Sequence, residues 1–254
     1  MTKSLLMIHG IGCGGDVWNR MRPGFEAAGW QCTAPTLFPD QRVRENPPPT
    51  LPDLGLDDYV KSMADAARGI RDETGMAPAV IGHSMGGLIA QCLVEEGVVS
   101  QAVFLTPAQP KGCSAVTLSV AYTFLNVLIS RNRSKAYKVW ESGFRYGVLN
   151  RVPRRRHAEI YADALHDSGK VYGEIADGIE IDESLFKVPT LTIAAGADRA
   201  TPAKAVRKVG EKYAKSPVPG DFVEYPENAH WIVDEPGTDK VVADIVAWLD
   251  RTRP

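Results

Sequence analysis

Ala79-Val80-Ile81-Gly82-His83-Ser84-Met85-Gly86-Gly87-Leu88-Ile89-Ala90 is the stretch on which the reading of this chain turns. Its first three residues are a short apolar run of the kind that makes a buried strand. From Met85 to Glu96 the chain is apolar through three turns, as a buried helix requires. Between them lies Gly-x-Ser-x-Gly. Taken alone, that pattern turns up by chance in roughly one chain in ten of this size. At a strand-to-helix turn it means more: the turn forces Ser84 into a strained conformation and lifts its hydroxyl above the sheet. Gly82 and Gly86 are required because a side chain at either would collide as strand and helix close together. The competing reading, a glycine-rich turn whose serine merely caps a helix, leaves that context unexplained.

Outward from this stretch, short apolar segments bounded by Gly or Pro recur at Leu5–His9, Gln31–Ala34, Ala102–Thr106, Thr190–Ala194 and Phe222–Tyr225. Helical patterns alternate with them. Val60, Met63, Ala67 and Ile70 share a face, with Gly75 as the stop. Pro202 opens a helix carrying Ala205, Val209 and Tyr213 on one side, and a last helix covers about 239–251. Alternation of this kind predicts an α/β fold: a mostly parallel sheet of about six strands with helices on both faces. Two stretches break the rhythm. ENPPPTLPDLG, residues 45–55, is too rich in proline for either element. The span from Pro107 to Val188 is far longer than a crossover needs. Its helical patterns (Val116–Ile129, Tyr137–Tyr146, His157–Ala164) predict a helical cap at 107–188, inserted in a core made of 1–106 and 189–254.

The bulk numbers suit one domain. The chain has 254 residues, 44% hydrophobic and 24% charged, with 29 basic against 31 acidic side chains and a net charge of -2. So even a balance provides no field to gather nucleic acid or an anionic membrane. The N-terminal apolar run breaks at His9, too early for a secretory signal, and the stretch Ala115–Ser130 falls short of a membrane span. Cys13, Cys32, Cys92 and Cys113 form no disulfide or metal spacing. The expectation is a cytoplasmic protein with free thiols, without stable membrane insertion, nucleic-acid partner, metal or cofactor, and with its oligomeric state unassigned.

A serine hydroxyl is a poor nucleophile until a base takes its proton, and the base needs an acid to orient it. Five histidines are present. His9 and His83 belong to glycine turns, and His157 and His166 fall in the inserted span. His230, in Glu227-Asn228-Ala229-His230-Trp231, follows the last strand and is the candidate base. Asp198, in Ala195-Gly196-Ala197-Asp198-Arg199, follows the strand before it and is the candidate acid; Asp234 is the weaker rival. Both loops leave the sheet at its C-terminal edge, where open α/β sheets build their sites. The backbone N–H of Met85, at a helix start, and that of Ile11, in the turn His9-Gly10-Ile11-Gly12, are the candidate oxyanion donors. Trp18 and Trp231 are candidates to line a substrate site. Arg151, Arg154, Arg155, Arg156 and His157 read as a solvated basic surface.

With HGIG, GHSMGG, Gly196-Ala197-Asp198-Arg199-Ala200-Thr201-Pro202 and Asn228-Ala229-His230 all in order, the chain resembles an α/β-hydrolase fold enzyme from end to end. Its opening, LLMIHGIGCGGDVWNRMRPGFEAAGWQCTAPTL, is similar to the compact branch of plant methyl esterases and hydroxynitrile lyases, which likewise start directly at the strand before the HG turn. The GHSMGG elbow also resembles that of monoacylglycerol lipases and cofactor-free haloperoxidase-type esterases. The resemblance implies a catalytic triad of Ser84, Asp198 and His230 and a serine hydrolase acting on a small-molecule ester; the segment Val116–Ile129, too apolar to be wet on all sides, packs the cap on the core and offers a hydrophobic wall for an apolar group of the substrate. The resemblance leaves the acyl and alcohol groups open. Two other activities fit the same fold. Cyanohydrin lyases of this branch carry a hydroxyl residue in the HG turn and a lysine just after the histidine, where this chain has Ile11 and Trp231-Ile232-Val233-Asp234. A non-catalytic ligand receptor commonly lacks a triad member, and here all three are present.

Overall fold

A computed structural model describes residues 3–114 and 117–253. Six strands form one sheet: β1 (Lys3–Ile8), β2 (Trp30–Thr33), β3 (Ala79–His83), β4 (Gln101–Leu105), β7 (Thr190–Ala195) and β8 (Asp221–Tyr225). Every neighbouring pair is parallel, in the order β2-β1-β3-β4-β7-β8. The inner strands β3, β4 and β7 are buried at every position, whereas the edge strand β2 alternates between burial and exposure and β8 between exposed and half-buried positions until the buried Tyr225. A strand covered on both faces must be apolar throughout, which is why the inner strands are legible as short apolar runs.

The side-chain alternation of β1 shows how both faces are filled. Leu5 and Met7 join the core that includes Phe25 of α1 (Arg22–Ala27) and Val241, Ile245 and Leu249 of α10 (Thr238–Thr252). Leu6 and Ile8 point the other way, into a core built with α2 (Leu56–Thr74), α3 (Met85–Glu95) and α9 (Ala203–Tyr213). Gly75 ends α2 in the left-handed conformation, φ 78°, donating its N–H to the Arg71 carbonyl. The proline-rich stretch is not wholly irregular, since Leu51–Asp53 winds into a short 3-10 turn.

The span between β4 and β7 is less regularly helical than its sequence suggests. It holds α4 (Leu118–Thr123), α5 (Leu125–Ser130), α6 (Glu141–Gly143), α7 (His157–Ala162) and α8 (Gly169–Asp177). Val116, at the start of the first expected helix, lies outside the described residues. That helix divides at Phe124, whose φ of −105° and ψ of 22° leave the helical region. Tyr137 is not helical: with Ala136 it forms β5 (Ala136–Tyr137), paired antiparallel with β6 (Asp167–Ser168). Here cross-strand pairing and ring packing override a helical spacing, with Tyr137 edge-on to Tyr172 at 6.2 Å. α8, unmarked in the sequence reading, sends Val171 and Tyr172 inward. The apolar stretch of α4 and α5 is partly exposed: Leu118 is 92% and Ile129 74% exposed. Among the described residues no helix is long and apolar enough to cross a membrane.

Candidate active site

The turns that follow β1, β3, β7 and β8 meet at the C-terminal edge of the large sheet. Parallel strands deliver all four there, and the chain reverses its direction of travel across the sheet between β1 and β3. The turn after β3 is strained: Ser84 has φ 56° and ψ −119°, a region a residue with a side chain seldom occupies. A Cβ on Gly82 would lie 2.0 Å from the Gly86 carbonyl oxygen, and one on Gly86 would lie 2.1 Å from the Ile8 carbonyl oxygen. Crowding therefore comes from β1 as well as from the elbow itself. The Ser84 N–H donates to the Leu105 carbonyl at 3.1 Å, and the Ser84 carbonyl accepts from Gly87 and Ala108.

This turn aims the Ser84 hydroxyl at His230. Ser84 Oγ is 3.0 Å from His230 Nε2, and His230 Nδ1 is 2.8 Å from Asp198 Oδ2. The carboxylate accepts the Nδ1 proton, which leaves Nε2 with a lone pair facing the serine. All three residues are buried. Asp198 is itself tied down: Oδ1 accepts the N–H groups of Ala200 and Thr201, both at 2.8 Å, and Oδ2 accepts the Thr201 hydroxyl at 2.8 Å. Thr201 was not singled out from sequence, although Asp-x-x-Thr-Pro ahead of a helix is the pattern of a side chain folding back on its own turn. The rival acid is turned elsewhere. Asp234 makes a two-pronged ion pair with Arg156, one arm at 3.2 Å. Arg156 is accordingly not part of a purely solvated basic surface, and it joins the segment between β4 and β7 to the histidine loop.

The other four histidines each engage a backbone carbonyl: His9 that of Gly10, His83 that of His230, His157 that of Val152 and His166 that of Val43. His83 supports the loop from below, donating Nε2–H to the His230 carbonyl at 2.8 Å. Burial, with a smaller contribution from His230, pushes its pKa from 6.5 down to about 3. Burial and then Arg42 hold His9 well below 6.5 as well. A histidine with a lowered folded pKa binds fewer protons folded than unfolded. The stability it contributes is complete above about 6.5 and is lost as pH falls from there toward the folded value. The unfolding temperature is thus expected to drop between pH 7 and pH 4.5. His83→Gln, which keeps a donor for the His230 carbonyl, should flatten that drop in a calorimetric series; an unchanged slope would mean His83 is not a source of the acid sensitivity.

The turn after β1 lies against the serine: a Cβ on Gly10 would stand 3.0 Å from the Ser84 Cβ. Among the described residues, neither the Ile11 N–H nor the Met85 N–H has an acceptor. Ile11 and Ser84 share a small cavity, about 20 Å³, whose apolar lining includes Cys13, Phe124, Phe144, Val148 and Trp231. That is room for about one water molecule. Phe124, Phe144 and Val148 come from the segment between β4 and β7, so that segment supplies much of the wall. A larger, polar cleft of about 220 Å³ adjoins it and shares Cys13, Phe144 and Trp231. Trp231 thus lines the site, edge-on to Phe144 at 6.0 Å. Trp18 does not. It ends a 3-10 turn at Gly15–Trp18 and is wholly buried in the core with Met21 and Phe25, where so large a ring gains most from leaving water.

All four cysteines are free and buried. Burial raises the Cys13 thiol, the one beside Ser84, to about 12. Among the described residues no group of three or more His, Cys, Asp or Glu is placed to hold a metal ion.

Among curated proteins none matches the chain. Solved structures of similar shape span nearly its whole length. A monoacylglycerol lipase from Paleococcus ferrophilus superposes with a TM-score of 0.72 at 20% identity, over 98% of this chain and 94% of that one. An Arabidopsis methylesterase gives 0.71 at 15% identity, over 98% and 99%. A pyrethroid hydrolase from Sphingobium faniae gives 0.69 at 16% identity, over 99% and 100%. At these identities the likeness is one of fold. A sequence profile of the alpha/beta hydrolase family matches residues 5–244. The chain belongs to the alpha/beta hydrolase family.

Proposed function

We propose that this protein is a serine hydrolase that cleaves a carboxylic ester of a small to medium apolar substrate through an acyl-enzyme. The observation that carries the reading is the hydrogen-bonded line Ser84 Oγ–His230 Nε2–Asp198 Oδ2, at 3.0 and 2.8 Å, hung from a strained turn. His230 Nε2 takes the Ser84 proton as Oγ bonds to the ester carbonyl carbon. The carbonyl electrons move onto oxygen, toward the N–H groups of Ile11 and Met85. Collapse breaks the bond to the alcohol oxygen, which leaves with the proton held by His230. Water then gives a proton to His230 and attacks the acyl carbon, and the departing Ser84 oxygen recovers that proton.

The apolar wall of Phe124, Phe144, Val148 and Trp231 supports an apolar acyl or alcohol group beside Ser84. The neighbours of similar fold that are named as a lipase, a methylesterase and a pyrethroid hydrolase agree in direction. The test joins a fluorophosphonate probe with a panel of p-nitrophenyl esters of graded acyl length. Ser84 is expected to be the labelled residue, found by peptide mapping, and labelling should abolish ester turnover. A folded protein whose Ser84 stays unlabelled would instead act as a ligand receptor.

A further inference from the structure

A buried ion pair lies behind the turn that carries Ile11. Arg42 and Asp167 are 1% and 0% exposed. They meet fork to fork, Nε to Oδ1 at 2.6 Å and Nη2 to Oδ2 at 2.8 Å. Both residues also grip the turn. Asp167 Oδ2 accepts the Gly12 N–H at 2.5 Å, and Arg42 Nη2 donates to the Cys13 carbonyl at 2.9 Å. The Gly12 carbonyl accepts from the Leu165 N–H at 2.9 Å. Gly12 itself is left-handed, φ 72°, so the backbone just beyond Ile11 has an unusual shape that outside groups hold at three points. Tyr59 completes the carboxylate's partners, donating its hydroxyl to Oδ1 at 2.9 Å. Arg42 Nη1 reaches His9 Nε2 at 3.2 Å, and the same nitrogen accepts from the Leu37 N–H, so His9 is fixed as an acceptor there.

Stability alone accounts poorly for this arrangement. Withdrawing two charges from water is costly, and an apolar pair of like volume commonly serves stability as well or better. What a fork-to-fork pair adds is a fixed direction for every hydrogen bond it makes. Here those bonds end on the Gly12 N–H, in the peptide that follows Ile11, and on the Cys13 carbonyl just beyond it.

We propose that Asp167 and Arg42 are positioning residues that hold the Ile11 N–H toward the oxyanion, and that Asp167 makes this hold depend on the segment between β4 and β7. The proposal rests on the acyl-enzyme reading above. Asp167 and Leu165 both belong to that segment, so its docking and the setting of the donor are one event. The segment then does more than wall the site.

The test uses the full chain with Asp167→Asn and Tyr59→Phe. Turnover of a short p-nitrophenyl ester is expressed per Ser84 labelled by the fluorophosphonate, well below each variant's unfolding temperature, so that loss of folded protein does not count. Asp167→Asn is expected to lower kcat per labelled site about 10²-fold with KM within about twofold, the mark of a donor displaced from the transition state. Tyr59→Phe keeps the ion pair and removes one bond to the carboxylate; about a fivefold loss of kcat at unchanged KM is expected. If Asp167→Asn does not fold, Tyr59→Phe decides alone. Per-site kcat within twofold of wild type in the folded variants, or KM rising in step with the loss, overturns the proposal. A wild-type Ser84 that fails to label brings down the acyl-enzyme reading and this proposal with it.

Discussion

Ser84→Ala is expected to lower ester turnover by on the order of 10⁵–10⁶-fold while leaving the fold intact. The two halves of that expectation have separate grounds. Among the described residues the Oγ has one hydrogen-bond partner, His230 Nε2, so its removal strands no buried donor there and leaves an unfilled acceptor on an imidazole. The strained φ of 56° is imposed by Gly82, Gly86 and the surrounding carbonyls, and alanine meets it about as serine does. An unfolding temperature within a few degrees of wild type is therefore expected. Catalytically nothing replaces the hydroxyl, because the thiol that lines the same cavity, Cys13, is raised to about 12 and carries no useful thiolate at neutral pH. Turnover of p-nitrophenyl esters and a melting curve on the same preparation check both halves. Residual turnover above a hundredth of wild type would place the nucleophile elsewhere.

Asp198→Asn is expected to cost about 10⁴ in kcat with little change in KM. The local hydrogen bonds dictate how the amide will lie. Two backbone N–H groups, of Ala200 and Thr201, point at Oδ1, so the amide oxygen stays there. The amide nitrogen then occupies the place of Oδ2, facing His230 Nδ1 at 2.8 Å and the Thr201 hydroxyl. A donor at that place asks Nδ1 to accept, so the imidazole proton moves to Nε2 and the ring can no longer take a proton from Ser84. Asp234→Asn is the matched control. It cuts the tie to Arg156 and leaves the imidazole tautomer alone, so kcat should fall far less. Near-native kcat in Asp198→Asn would return the orienting role to another acid.

The strands were legible because a sheet covered on both faces demands unbroken apolar runs, and glycine or proline marks where each run stops. Predicted and observed limits differ by a residue or two: Leu5–His9 against Lys3–Ile8, Ala102–Thr106 against Gln101–Leu105. The grouping of Ser84, Asp198 and His230 followed from the same logic, since residues just past the ends of parallel strands must share an edge. The span between β4 and β7 obeys no such rule. Its elements are short, and two-residue strands at Ala136–Tyr137 and Asp167–Ser168 leave no periodicity to read. Trp18 was misplaced because a loop residue next to a conspicuous turn invites a role in the site, while ring size favours the core. Arg42 and Asp167 are 125 residues apart, and nothing local distinguishes either from a surface charge.

Phe144 and Trp231 face two hollows at once, the 20 Å³ space at Ser84 and the 220 Å³ cleft outside it. The two rings, with Cys13, are the partition between the hollows, while Phe124 and Val148 bound the inner one alone. A smaller side chain at either position merges chamber and vestibule.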